Sequence, residues 1–301
     1  MKKFFISVLK ALGYFGIYLG AQFLVTFVYM MYSMVPAIVK YSMGNYDLTD
    51  PVIFNQYLNE ATQPLLDATM LITIISGLLT IGIICVIFKC RKQKLSKSFC
   101  LRKISGGTVV SVTLLGFGLN LMFGILVLLL PESWIASYEE TASAAFAGEF
   151  WQMAIAVVIM APLVEELVFR GLIYTRLKQG MPVVVAMIIT SLWFGVMHGH
   201  PLWAAYAAVL GLVMVWIFER TKSLFASMLF HFGYNSVAAI EMALPESVPD
   251  WVGIVMLAGG VVLAAIGMVW FMRLPKAEND DVYADTDIIQ AEAKSCDGAE
   301  E

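Results

Sequence analysis

The chain has 301 residues, of which 60% are hydrophobic and only 14% are charged, and its mean hydropathy is +0.80. A composition this apolar excludes an ordinary soluble domain and is typical of a membrane protein with several spanning helices. The formal net charge of -4 says little by itself, because the acidic residues gather near the end of the chain and the basic ones in short loops. Neither group of charges points to a nucleic-acid partner.

Eight apolar segments follow one another along the chain. The predicted spans cover residues 11–35, 65–88, 109–130, 150–174, 182–198, 202–218, 224–243 and 252–272. The fifth and sixth fall short of the roughly 20 residues that cross a bilayer, and the tight HGHP turn between them indicates an antiparallel pair. The predicted fold class is therefore all-α, a polytopic membrane helix bundle of about eight transmembrane helices.

Polar segments separate and follow these spans. Residues 41–64 are rich in Asn, Asp and Thr and are interpreted as a loop, and the acidic, aromatic residues 132–149 as a short amphipathic piece at the membrane interface. The predicted division is a lead-in of three spans at 1–149, a motif-bearing core of four spans at 150–243, a final span at 244–273 and an acidic, disordered cytosolic tail at 274–301.

The basic residues predict the orientation in the membrane. Residues 89–103 carry seven Lys and Arg in one loop, and with eight spans every Lys and Arg except Lys40 falls on the same side. By the positive-inside rule that side is the cytosol, so both termini are expected there. We expect a multi-pass protein of the cell (plasma) membrane, surrounded by the lipid bilayer.

Two carboxylates and an arginine interrupt the fourth span, in the stretch APLVEELVFRGLIY at 161–174. A charged residue at the bilayer centre costs about 2.5 to 3.5 kcal/mol by insertion scales, so such residues persist where they pair or do chemistry. Glu166 and Arg170 lie four apart on one helix face, which predicts a supporting ion pair. Glu165 lies about 100° around the helix, free to face a cavity, and Pro162 can kink the helix before it.

Two more polar pairs lie in other spans. Phe194 and His198 are four residues apart in the fifth, and His231 and Asn235 are four apart in the seventh, so each pair shares a helix face. A single histidine in a span is often an interhelical hydrogen-bond partner. The full set of Glu, His, His and Asn favours function, because each polar group costs free energy in the bilayer. The third histidine, His200, is interpreted as a loop residue.

These residue types fit hydrolysis of a peptide bond by an activated water. Glu165 beside a histidine can deprotonate a water, and a second histidine with an asparagine can donate to the oxyanion that forms on the carbonyl. No H-E-x-x-H or G-x-S-x-G motif occurs. Zinc held by Glu165, His198 and His231 is the alternative. We favour no metal cofactor, because the amide of Asn235 suits an oxyanion hole and adds nothing to a zinc shell.

VEELVFR, FGVMH and HFGYN resemble, in order, three motifs of the CPBP family: E-E-x-x-x-R, F-x-x-x-H and H-x-x-x-N. This family comprises the CAAX-protease and bacteriocin-processing intramembrane endopeptidases, also called Abi proteins. The resemblance covers roughly residues 150–243, under a third of the chain, and it implies an all-helical protease with a cavity open to the cytosol.

The resemblance also implies roles for single residues. By it, Glu165 activates water with His198, while His231 and Asn235 form the oxyanion hole. The supporting residues are Glu166, Arg170 and Phe194. The protein is therefore expected to be an intramembrane endopeptidase, of glutamic or metalloprotease type, that cleaves a membrane-associated or lipidated peptide or protein.

Two other classes of function stay open. Paired carboxylates and histidines in spans also build the proton paths of transporters, although no repeat with matching broken helices is visible. A non-catalytic membrane scaffold is the third reading, and the intact Glu165 argues against it. No residue selects among a prenylated carboxyl terminus, a bacteriocin leader and a pheromone-like peptide as substrate.

The predicted heights of two motif residues disagree. At about 1.5 Å per residue, Glu165 lies roughly 15 Å from the end of its helix near Arg176, whereas His198 lies roughly 24 Å from Pro182. Straight helices that begin at one level would keep these side chains apart. Either the fifth helix begins below the membrane or it is tilted.

Overall fold

The computed structural model describes residues 1–146, 149–243 and 249–277, and all regular secondary structure in these ranges is helical. The helices are α1 (Lys2–Met43), α2 (Pro51–Asp67), α3 (Thr69–Cys90), α4 (Leu95–Ser98), α5 (Gly106–Leu128), α6 (Glu132–Ala145), α7 (Phe150–Gly180), α8 (Val183–Val196), α9 (Pro201–Thr221), α10 (Leu224–Met242) and α11 (Asp250–Arg273). The predicted all-α bundle is confirmed.

Six of these helices are long and apolar enough to cross a membrane: α1, α3, α5, α7, α9 and α11. They correspond to six of the eight predicted spans, and they make the chain a multi-pass membrane protein. The other two predicted spans are α8, which has only 14 residues, and α10, which carries His231, Asn235 and Glu241 within 19 residues. The two helices that are weakest as spans are therefore the two that hold the motif histidines.

The interpretation of residues 41–64 as a loop is wrong. Helix α1 continues to Met43, and α2 begins at Pro51, where the Asp50 carboxylate accepts the backbone N–H of Val52 at 2.8 Å. An Asp N-cap followed by proline is a strong helix start, and it outweighs the low helix propensity of the Asn and Thr residues that follow. Lys40 then ties α1 to α2 through an exposed ion pair with Glu60 at 2.7 Å.

The predicted amphipathic piece at 132–149 contains helix α6, which lies over the turn between α8 and α9. The Ser137 hydroxyl lies 3.2 Å from His200 Nε2, and the Tyr138 ring contacts the Trp203 ring at 5.7 Å. His200 also caps α9 by accepting the N–H of Leu202. Beyond the last helix, residues 278–301 of the predicted tail lie outside the described residues.

The basic residues gather at one end of the bundle, which we call the basic end. The loop that follows α3 packs on the turn between α9 and α10, where Ser223 Oγ donates to the Arg102 carbonyl at 2.7 Å. Helix α7 ends at the same level, because Gly180 approaches Ser7 near the start of α1. The opposite end holds α2, α6 and the turn between α8 and α9.

The height disagreement between Glu165 and His198 is resolved by the true end of α7. The helix continues past Arg176 to Gly180, and α8 begins directly afterwards at Val183. Glu165 lies fifteen residues before Gly180 and His198 lies fifteen residues after Val183, so both stand about 22 Å from the basic end. The sequence estimate failed because it ended α7 too early.

Helix α5 fixes the depth and distance of α10. It packs along both α10 and α11, and at Gly116 a Cβ atom would lie 2.2 Å from the Phe230 carbonyl oxygen. Only glycine permits this approach of one backbone to another. Phe230 immediately precedes His231, so the close contact positions the turn that carries the motif histidine.

Candidate active site

Helix α7 changes its hydrogen-bond register on both sides of the acidic motif. The segments Ala154–Met160 and Leu167–Tyr174 are π-helical, and the α-helical turn Ala161–Glu166 lies between them. Such wide turns inside α-helices are frequent at functional sites. The predicted disturbance at Pro162 is therefore present, as two wide segments that flank the turn carrying Glu165 and Glu166.

Pro162 leaves the backbone carbonyl of Val157 without a donor in its own helix, and the side chain of Asn235 donates to that carbonyl instead. The N–H of Ala161 donates to the Ala156 carbonyl, five residues back. In the same register the next donor would be position 162 to Val157, but proline has no N–H. Asn235 Nδ2 donates to the Val157 carbonyl at 2.8 Å. One amide hydrogen of Asn235 is thus used for backbone support, and the second is left for a ligand.

Glu166 and Arg170 form the predicted ion pair, and it is fully buried. Arg170 Nη1 donates to Glu166 Oε1 at 2.7 Å, and both side chains are 0% exposed. Arg170 Nη2 also donates to the Gly211 carbonyl of α9 at 3.1 Å. Its guanidinium stacks over the Phe194 ring of α8 at 4.5 Å. One charged pair on α7 therefore holds α8 and α9 in place.

His231 bridges the two adjacent carboxylates. Its Nδ1 lies 3.2 Å from Glu166 Oε1, and its Nε2 lies 3.9 Å from Glu165 Oε2. The Glu166 carboxylate already accepts from Arg170 and from the Ser227 hydroxyl, so it acts as an acceptor, and His231 Nδ1 carries the proton between them. His231 Nε2 is thereby directed at Glu165.

The orientation of His198 is also fixed by its second nitrogen. Its Nδ1 lies 3.0 Å from the Phe194 carbonyl, which can only accept, so Nδ1 is the protonated nitrogen. Nε2 of the neutral ring then presents a lone pair. The Phe194 ring contacts the rings of both His198 and His231, with centroid distances of 4.9 and 6.1 Å.

Most of the predicted residues converge on one cavity of about 600 Å³. Its lining includes all four predicted catalytic residues and one supporting residue: Glu165, His198, His231, Asn235 and Phe194. Glu166 and Arg170 do not line the cavity and are buried next to the residues that do. The cavity runs from these residues toward α6, at the end of the bundle opposite the basic loop, and it does not run toward the basic end.

The geometry of Glu165, His198 and His231 bears on whether these residues could bind zinc. Both histidines direct an Nε2 atom away from a hydrogen-bonded Nδ1, which is the usual arrangement of a metal-bound imidazole. Yet no group of three His, Cys, Asp or Glu side chains in the described ranges is arranged to hold a metal ion. Glu165 and His231 alone approach each other, at 3.9 Å. This arrangement does not fit a three-ligand zinc site.

Sequence reasoning missed two contributors to the site. Ser227 donates to Glu166 and lies four residues before His231, so the helical spacing that paired His231 with Asn235 could have found it. Tyr18 of α1 lines the cavity and lies within electrostatic range of Glu165. No local pattern identifies Tyr18, because its place depends on how α1 packs against α7.

The comparisons with known proteins agree with the motif resemblance. Residues 147–237 match the family model described as type II CAAX prenyl endopeptidase Rce1-like. A Bacillus subtilis (strain 168) protein named "Putative membrane peptidase YdiL" is 26% identical over 93 residues, which is 31% of this chain. The chain spans only 38% of the length of that curated relative. No solved structure matches the chain.

Replacing Glu166 by Gln should destabilise the protein strongly, because it leaves the Arg170 charge buried without its partner. Such a loss costs about 3 to 5 kcal/mol, whereas Glu60→Gln, which breaks the exposed pair with Lys40, should cost far less. Thermal unfolding of the purified variants measures both. The double variant Glu166→Gln/Arg170→Met should be more stable than Glu166→Gln; equal losses from Glu166→Gln and Glu60→Gln would contradict the role given to the pair.

Asn235→Ala should lower stability by about 1 to 3 kcal/mol in the native background, because the partly buried Val157 carbonyl then loses its hydrogen-bond donor. In a Pro162→Ala background the new backbone N–H at position 162 can bond to a carbonyl one turn back, so the loss should shrink by about 1 kcal/mol. Denaturation of the two single variants and the double variant gives this coupling. Ser236→Ala on the same helix should show none, and additivity of Asn235→Ala with Pro162→Ala would disprove the link.

Proposed function

We propose that this protein, whose residues 147–237 match the Rce1-like family model, is an intramembrane endopeptidase. It hydrolyses a peptide bond of a membrane-associated peptide or protein by means of an activated water. The observation that carries the proposal is the convergence of Glu165 with two oriented imidazoles, His198 and His231, on one cavity inside the bundle.

Water activation is assigned to Glu165 and His198. The carboxylate of Glu165 is 20% exposed and lines the cavity, so a water can reach it. His198 offers an Nε2 lone pair because its Nδ1–H is held by the Phe194 carbonyl. A water that donates one hydrogen to each group presents its oxygen to a substrate carbonyl, and Glu165 takes the proton as the bond to carbon forms and the carbonyl oxygen becomes the oxyanion. Glu165 then returns this proton to the amine nitrogen as the C–N bond breaks.

Stabilisation of the oxyanion is assigned to His231 and Asn235. Because His231 Nδ1–H donates to Glu166, its Nε2 can donate only when the ring is an imidazolium. Asn235 contributes the amide hydrogen that Val157 does not use. Preorganised donors of this kind supply the largest share of many rate enhancements.

Glu166 and Arg170 act through His231 in this scheme. The carboxylate of Glu166 orients the imidazole through its hydrogen bond with Nδ1, and Arg170 holds that carboxylate in place. An acid–imidazole pair of the same logic fixes the histidine of serine proteases. Both residues are positioning residues, because neither lines the cavity.

The setting proposed for the reaction follows from the bundle. We place the protein in the plasma membrane with both termini in the cytosol, because the basic end carries the Lys- and Arg-rich loop. The substrate is a peptide or protein segment that reaches the cavity from the bilayer or its surface.

Glu165→Gln should reduce peptide cleavage by about 100- to 10,000-fold, because the isosteric amide cannot take the proton from the water. Incubating the purified protein with a peptide library, and reading cleavage sites by mass spectrometry, measures this loss. Glu140→Gln, at an exposed position on α6 that does not line the cavity, should leave the rate unchanged. Cleavage that persists in Glu165→Gln would refute the proposal, and cation transport that persists would favour a transporter.

The metal-free version predicts that activity survives chelators and that active protein contains no stoichiometric zinc by elemental analysis. In that version Asn235→Ala should cost about 100- to 1,000-fold in kcat, the usual loss for one oxyanion donor. If zinc is bound, His198→Ala and His231→Ala should each remove the metal together with the activity. Activity that chelators abolish and zinc restores would overturn the metal-free assignment.

A further inference from the structure

The cavity contains a second polar centre, set apart from Glu165, His198 and His231. Glu241 lies ten residues after His231 on α10, which places it about 15 Å further along the helix axis. Asn120 of α5 lines the same end of the cavity, and a Cβ at Gly124, one turn along α5, would lie 3.6 Å from Glu241 Oε1. The proposed reaction uses neither Glu241 nor Asn120.

Neither polar side chain has a partner among the described residues. Asn120 is only 6% exposed, yet no hydrogen bond to its amide is present in the described ranges. Glu241 is partly buried, and in those ranges it makes no ion pair and no hydrogen bond. A carboxylate and an amide that line a cavity without partners are unusual, because buried polar groups are almost always hydrogen-bonded. Both groups are therefore available to a ligand.

The surroundings of Glu241 select a cation. Tyr138 of α6 and Tyr234 of α10 line this end and lie within electrostatic range of the carboxylate. Tyr206 lines the same region, with its ring 4.0 Å from that of Phe123. Aromatic faces attract ammonium and guanidinium groups, and the carboxylate accepts their hydrogens. An anionic or purely apolar ligand would leave the carboxylate uncompensated.

The protein itself supplies no cation here. In the described part of the chain every Lys and Arg apart from Lys40 lies at the basic end or in the core beside Glu166. Lys40 is held by Glu60 on the outside of the bundle. A cation that pairs with Glu241 therefore has to be part of a bound molecule.

We propose that Glu241 and Asn120 form a substrate subsite that binds a positively charged group, either a Lys or Arg side chain or a peptide amino terminus. This inference rests on the proposed endopeptidase function. An extended peptide advances about 3.3 to 3.6 Å per residue, so the roughly 15 Å between His231 and Glu241 corresponds to four or five residues. The substrate carries its charge at that distance from the bond that is cut.

The test compares cleavage of paired peptides that differ only at the predicted position. Peptides with Lys or Arg four or five residues from the cleavage site should be cut with a kcat/KM about tenfold higher than their Gln counterparts, mainly through KM. Glu241→Gln should remove this preference and leave the Gln peptides unaffected. Glu140→Gln, which removes an equal charge from the same end outside the cavity, should keep the preference. A Lys preference that survives Glu241→Gln would overturn the inference while leaving the Glu165-dependent cleavage intact.

Binding provides a second readout that needs no catalysis. In a Glu165→Gln background, titration with a short Lys-containing peptide should give a Kd about tenfold lower than with its Gln analogue. The heat of binding, measured by titration calorimetry, reports both values. Acetylating the peptide amino terminus separates the two sources of charge. Asn120→Ala should weaken Lys-peptide binding, and Glu241→Gln should abolish the difference. Equal binding of the two peptides refutes the subsite even if no cleavage is found.

Discussion

The buried pair of Glu166 and Arg170 is the interaction on which the site depends. Two opposite charges with no solvent exposure persist only when their remaining hydrogen-bonding capacity is used, and here Ser227, His231 and the Gly211 carbonyl use most of it. These partners come from α9 and α10, so the pair links three helices through directional bonds. In a bilayer, where apolar packing alone discriminates poorly between neighbouring helices, such bonds fix one arrangement.

Because of this arrangement, the side chains of the adjacent Glu165 and Glu166 have different surroundings. Glu166 faces the protein interior and spends both oxygens on neighbours, whereas Glu165, about 100° around the helix, faces the cavity. The same imidazole of His231 touches one carboxylate and points at the other. Glu166 thus sets the orientation of the His231 ring, and this orientation places Nε2 toward Glu165. One helical step separates the carboxylate in the buried ion pair from the carboxylate proposed to activate water.

The sequence predicted the parts of this site that depend on helical spacing. Residues four apart, such as Glu166 with Arg170, share a face in any helix, and those contacts appear as expected. The contact of Asn235 with Val157 could not be predicted, because it depends on a π-helical register in which Pro162 leaves the Val157 carbonyl without a backbone donor. The polar appearance of residues 41–64 hid helix α2, and the short stretch after Arg176 hid the true end of α7. Each failure concerns where a helix begins, ends or changes its hydrogen-bond register. The spacing of apolar residues predicts none of these features.

Given the direction in which the cavity runs, two expectations from the sequence cannot both hold. The basic loops place the basic end in the cytosol, and the family resemblance implies a cavity that opens to the cytosol. In the structure the lining from Glu165 onward is built by the far ends of α3, α5 and α10 and by Ile135 and Tyr138 of α6, all opposite the basic loop. The Glu166–Arg170 pair closes the other side. If the basic end is cytosolic, a substrate that follows this cavity reaches Glu165 from the outer half of the membrane, past α6, and it passes Glu139 and Glu241 on the way.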